Sequence, residues 1–140
     1  MNDVTIYPEV ACAAKWWADQ LRGDPMHDAG DAMMNAMAAW ASGRISRLSE
    51  ADILRFEQEL ETVLQAYVIK KGWHPDRPGW GNRDVGTDYH PDGTLDQAAQ
   101  AAGLGDLSLQ LPYKTMMWVN PGSVTVSRGY RAPVVEIFHE

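Results

Sequence analysis

The sequence has a single cysteine, Cys12, no apolar run long enough to cross a bilayer, and no block of basic residues. One thiol excludes an internal disulfide and a cysteine-built zinc site, and it fits a reducing compartment. A transmembrane helix needs about 20 consecutive apolar residues, and no window approaches that length. The first nine residues, Met1 to Glu9, carry acid where a secretory signal carries base. These absences predict a soluble cytoplasmic protein without membrane contact. The net charge of −7 comes from acids spread along the chain, so there is no basic face to follow a nucleic-acid backbone. No Gly-x-Ser-x-Gly elbow places a serine for nucleophilic attack. The glycines of Gly79-Trp-Gly81 and Gly103-Leu-Gly105 lack the strand-to-helix setting of a phosphate loop. No cofactor is expected, and the balance leans away from an enzyme.

What remains is a chain of 140 residues, 45% apolar, enough to bury a core as one domain. A first helix is expected from about Pro8 to Arg22, with Val10, Ala14, Trp17 and Leu21 on one face and Gly23 as its stop. Trp16 falls off that stripe, so it covers a second element or a partner. A second helix is expected from Asp24-Pro25 to about Gly43, its stripe formed by Met26, Gly30, Met33, Met37 and Trp40. With Trp16, this methionine-rich face makes a homodimer possible. The third helix starts at Ser49, which with Asp52 forms a capping box, and ends at Gly72. Its apolar face runs through Ile53, Phe56, Leu60, Val63, Leu64 and Tyr67, and Lys70 and Lys71 suit the last turn.

Between Gly72 and Gly93 stand five glycines, three prolines and two tryptophans with no periodicity, the signature of a long functional loop. A short fourth helix follows, with Thr94 as cap, Gln97 closing the box and a Schellman ending at Gly103-Leu104. The period then changes to two. Leu107, Leu109 and Leu111 read as a strand, as do Thr115–Val119 and Val124–Ser127, joined by a type II turn at Asn120-Pro-Gly-Ser123, and finally Pro133–Phe138. The expected fold is α+β: a helical half over residues 1–72, a loop over 73–93, and a short helix with an antiparallel sheet of three or four strands over 94–140.

Two readings compete for the loop. Trp73-His-Pro-Asp76 and Tyr89-His-Pro-Asp92 repeat an aromatic-His-Pro-Asp unit, and His74, Asp76, His90 and Asp92 have the ligand chemistry of a transition-metal site. Such a site would activate water in a small hydrolase. Proline and aspartate are also what turns select, so the metal site is the alternative reading. The preferred reading is a binding surface. Trp73, Trp80, Arg83, Tyr89, Arg128, Tyr130 and Arg131 are the aromatic and arginine residues that interfaces and nucleotide pockets favour. Trp118 and Tyr113 are expected to fill the core face of the sheet.

The pattern Asp88-Tyr-His-Pro-Asp92, Leu95, Ala98-Ala99, Pro112-Tyr-Lys-Thr-Met-Met-Trp118, Gly122-Ser-Val-Thr-Val126 and Gly129-Tyr130 resembles small uncharacterised proteins of phages and prophages. That resemblance covers the C-terminal half and implies an inhibitor of host defence, of the anti-CRISPR kind. Such a protein binds a host protein or sequesters a nucleotide-like ligand without catalysis. A virion structural or assembly component is a further alternative.

Overall fold

The computed structural model describes residues 5–22, 48–73, 83–87, 91–105, 107, 111–112, 114–129 and 132–139. Among them are three helices and four strands: α1 (Pro8–Arg22), α2 (Glu50–Lys71), β1 (Asp84–Gly86), α3 (Gly93–Ala101), β2 (Thr115–Asn120), β3 (Ser123–Arg128) and β4 (Val134–His139). The strands form one antiparallel sheet in the order β1-β2-β3-β4. This is the expected α+β class. The helix expected over 24–43 lies outside the described residues. Among the described residues, no helix is long and apolar enough to cross a membrane.

The core forms where helical and strand periodicities meet. α1 contributes Val10, Ala14, Trp17 and Leu21, the stripe its spacing predicts, and α2 contributes Ile53, Phe56, Leu60, Leu64 and Val68. α1 lies along α2 and crosses β2, β3 and β4, while α3 packs on α2 and β1. The sheet meets them with Val85, Met117, Val119, Val124 and Val126. Full burial of each large side chain stabilises the fold by about 1.5–3 kcal/mol over leaving it exposed. Trp17 is fully buried, and its indole Nε1 has no hydrogen-bond partner, so part of its hydrophobic gain is offset by a desolvated donor. Trp16 stands perpendicular to it, ring centroids 4.9 Å apart, and reaches β4 instead of the centre of the core.

The ends of the elements follow local chemistry. Ser49 Oγ accepts from the Asp52 amide at 3.1 Å and the Asp52 carboxylate accepts from the Ser49 amide at 3.3 Å, the reciprocal box the sequence predicts. Gly72, at φ 105°, stops α2. After α3, the amides of Gly103 and Leu104 donate to the Gln100 and Ala99 carbonyls, a Schellman ending. Gly122, at φ 80°, sits third in the Asn120–Ser123 turn, as type II geometry requires.

Three local expectations are corrected. The cap of α3 is Asp92, whose Oδ1 accepts from the Leu95 amide at 3.0 Å, so the helix begins one residue before Thr94. Part of the expected loop is strand: β1 pairs Val85 with Met117 and Gly86 with Met116. Three residues are too few to show alternation, and Gly86 is required by contact, since a Cβ there would lie 2.5 Å from the Thr115 carbonyl oxygen. Leu107 and Leu111 belong to no strand. The Leu111 amide donates to the Leu107 carbonyl at 3.0 Å, which an extended chain cannot do, and both side chains are buried.

Long-range polar contacts tie the layers together. Gln65, buried on α2, accepts from the Tyr7 amide at 3.1 Å and donates to the Thr5 carbonyl at 3.3 Å. Glu9, buried in the first turn of α1, accepts from the Gly122 amide at 2.6 Å. Replacing Glu9 with alanine leaves that amide without its acceptor and is expected to lower stability by about 1–3 kcal/mol. Glu9→Gln, which keeps an acceptor oxygen, should lose less than half of that, read from urea unfolding midpoints at constant slope.

Candidate protein-binding site

Of the residues read as a contact surface, Trp73, Arg83 and Arg128 are described. Trp80, Tyr89, Tyr130 and Arg131 lie outside the described residues, as do Tyr113, His74, Asp76 and His90. The structure does not bring the three described ones to one surface. Arg83 is buried. Its Nε donates to the Val119 carbonyl at 3.1 Å, Nη1 to the Gly72 carbonyl at 2.8 Å and Nη2 to Asn120 Oδ1 at 2.7 Å. Burial pulls its pKa down, and these acceptors hold the charge in place. Trp73 stacks on Tyr7, ring centroids 4.7 Å apart and planes 15° apart, with the Arg83 guanidinium 5.9 Å from its ring centre. Both residues are joints of the fold. Arg128 is exposed, paired with Thr115 at the far end of β2 from Asn120, about 17 Å along the strand at 3.4 Å per residue.

Of the alternative metal set only Asp92 is described, and it caps a helix. Asp92 Oδ1 accepts from the Leu95 amide, and Oδ2 accepts from the Gly86 amide at 2.8 Å. Burial pushes its carboxyl above the ordinary value, against the pull of the Gly86, Leu95 and Thr94 amides. Both oxygens are committed to the backbone, so Asp92 joins β1 to α3. Among the described residues there is no cluster of three or more His, Cys, Asp or Glu able to hold a metal.

The residue misread from sequence is Trp118. In β2, Thr115, Met117 and Val119 point into the core, and Met116, Trp118 and Asn120 form the opposite row, half-buried. The expectation that Trp118 fills the core is therefore corrected. Its cross-strand neighbours are Asp84 on β1 and Thr125 on β3. Two residues along, Met116 lies over Gly86, its sulfur 2.9 Å from where a Cβ would stand. α1 crosses the buried row, while Tyr67 of α2 reaches the outer row, its hydroxyl donating to Asp84 Oδ1 at 3.4 Å; beside Asp84 that row carries a tryptophan and a methionine with Thr125 and Asn120. Register could have revealed this. The Asn120–Ser123 turn sets Trp118 opposite Thr125 and Val119 opposite Val124, which places the tryptophan on the polar side of β3.

A family model described as "BTG family" matches residues 32–138. The chain belongs to the BTG family. It is 31% identical over 128 residues to a "BTG family protein" of Dictyostelium discoideum, covering 89% of this chain and 25% of that one. It thus spans about a quarter of the relative's length. The BTG/Tob domain of C. elegans FOG-3 has a similar fold, with a TM-score of 0.68 at 18% identity, over 94% of this chain and 89% of that domain.

Membership of the BTG family overturns the phage resemblance. The matched span contains every residue from Asp88 to Tyr130 that carried it, and both relatives are eukaryotic. The host-defence inhibitor, the nucleotide sponge, the metal-dependent hydrolase and the virion component fall with it.

The buried arginine gives a direct test of structural against ligand-binding roles. Arg83→Met is expected to lower the unfolding free energy by about 3 kcal/mol or more, because the acceptors at Gly72, Val119 and Asn120 are left in a desolvated corner. Asp92→Asn should cost about 1–2 kcal/mol, since an amide accepts from one backbone N–H but turns its own donors toward the other. Denaturant unfolding of both variants checks these values.

Proposed function

We propose that residues 1–140 act as one non-catalytic protein-interaction domain that docks a partner protein on the outer face of its sheet, with Trp118 as the anchor. The observation that carries this reading is the position of Trp118: a large aromatic on an inner strand, half-buried on the row opposite the core-facing Met117 and Val119. Tryptophan is the residue type most enriched at interface hot spots, where it is desolvated by the partner and ringed by polar groups. Asp84, Thr125 and Asn120 supply such a rim here. Met116 beside it adapts its shape to an apolar neighbour. Membership of a family of protein-interaction domains supports the same reading. A cytoplasmic location belongs to this proposal, resting on the lone cysteine and the acidic charge.

Trp118→Ala should weaken the partner complex by about 30-fold or more, while the far-ultraviolet circular dichroism spectrum and the unfolding midpoint stay close to wild type. Quantitative affinity purification from the source cells, followed by titration of the recovered partner, checks this. Gln58→Ala, on the exposed face of α2, is the control expected to change nothing. Full affinity in Trp118→Ala would overturn the assignment of this face.

A further inference from the structure

On its outer side the sheet holds a straight line of residues that crosses all four described strands. The register sets Asp84 of β1 opposite Trp118 of β2, Trp118 opposite Thr125 of β3, and Thr125 opposite Glu136 of β4. Opposed residues of antiparallel strands share a face, so an acid stands at each end of this line with the tryptophan between. With strands about 4.8 Å apart, the two acidic side chains leave the backbone about 14 Å from each other. The neighbouring line carries no charge: Gly86, Met116, Ser127 and Val134, the last of them 58% exposed. To this face β3 contributes small hydroxyl side chains, Ser123, Thr125 and Ser127. A shallow furrow therefore lies between the large residues of β2 and those of β4.

Both acids are held by hydroxyls. Tyr67 Oη donates to Asp84 Oδ1 at 3.4 Å, and Ser123 Oγ donates to Glu136 Oε2 at 2.8 Å. A hydroxyl orients a carboxylate without neutralising it and leaves lone pairs for further donors. His139 also stands beside Glu136, its Nδ1 3.4 Å from Oε1 and its side chain 76% exposed. So open a contact contributes little and is readily exchanged for another. We propose, taking the outer face as the docking surface, that the partner segment seated there is basic and apolar. An apolar side chain lies in the furrow against Trp118 and Met116, and a Lys or Arg on either side of it reaches Asp84 and Glu136. Charge selects this occupant. The chain's net charge of −7 attracts a basic partner from a distance and repels a second copy, an acidic peptide or a nucleic acid.

Random dodecapeptides displayed on phage are selected against the immobilised full chain, and the most frequent sequence is synthesised with a fluorescein label for anisotropy titration. The expected sequence carries Lys or Arg on both sides of an apolar residue. Trp118→Ala should abolish its binding, which locates it on the outer face. Asp84→Asn and Glu136→Gln remove the charges and keep acceptor oxygens for Tyr67 and Ser123. Each should weaken binding about threefold, and the two together about tenfold. Raising the salt from about 0.05 M to about 0.5 M should weaken the wild-type complex about tenfold and that of the double variant less than about twofold. The salt titration of the wild-type chain needs no variant to fold. An acidic or uncharged sequence that Trp118→Ala abolishes overturns the basic partner and leaves the docking face standing. A sequence indifferent to salt and to both neutralising variants does the same. One indifferent to Trp118→Ala lies elsewhere and overturns the proposal, as does the absence of any enriched sequence; in both cases the Trp118→Ala titration of the recovered partner protein judges the face separately. A wild-type dimer in sedimentation that Trp118→Ala dissolves gives the face to a second copy and also overturns it.

Discussion

The Asn120–Ser123 turn is gripped from two sides by opposite charges, and the arrangement of layers depends on that grip. Arg83 donates to the Val119 carbonyl and Asn120 side chain on one arm, and Glu9 accepts from the Gly122 amide on the other. Each charged group comes from a different part of the chain. Arg83 also carries the end of α2 through Gly72, and Glu9 carries the start of α1. The turn thus sets the height of both long helices over the sheet. Charges in such places are costly unless their hydrogen-bonding capacity is met, and here the acceptors and the donor are largely main chain, which a substitution elsewhere cannot remove.

With the helices held on one side, the sheet has two outward-looking regions that differ in kind. The row of Met116 and Trp118 is a flat patch read by side chains. Across the hydroxyls of β3, Val134 and Glu136 stand on the same side and are more exposed.

Sequence patterns revealed the elements better than the site, for a physical reason. Helices announce themselves over many residues: α1 and the boxed start of α2 follow from periodicity and from Ser49 with Asp52, because those forces act within one or two turns. The type II turn and the Schellman ending are equally local. β1 was invisible because three residues have no period, and its partners lie some thirty positions away, about the spacing of Val85 from Met117. Leu107 and Leu111 mislead because a spacing of four also contains a spacing of two, so residues joined by an amide-to-carbonyl bond four apart pass for members of a strand. Arg83 reads as a binding group from its residue type, yet it is buried against Gly72, Val119 and Asn120, and burial depends on such distant segments. Trp118 was misplaced because both faces of β2 carry large apolar side chains; only its pairing with Thr125 separates them. The phage resemblance failed in the same way, since it matched residues without the fold that explains them.

Gln65 and Glu9 each bridge a great length of chain, with partners 58 to 60 and 113 positions away. Contacts of that reach form late in folding, because the entropy of closing the loop must be met before the contact returns anything. Synthesis runs from the N-terminus, so α1 emerges first and meets its turn last. Val10, Ala14, Trp17 and Leu21 can therefore meet α2 once about half of the 140 residues have been made, and the sheet only when the last strands follow. Among the described helices, α1 waits longest between its own synthesis and the completion of its packing.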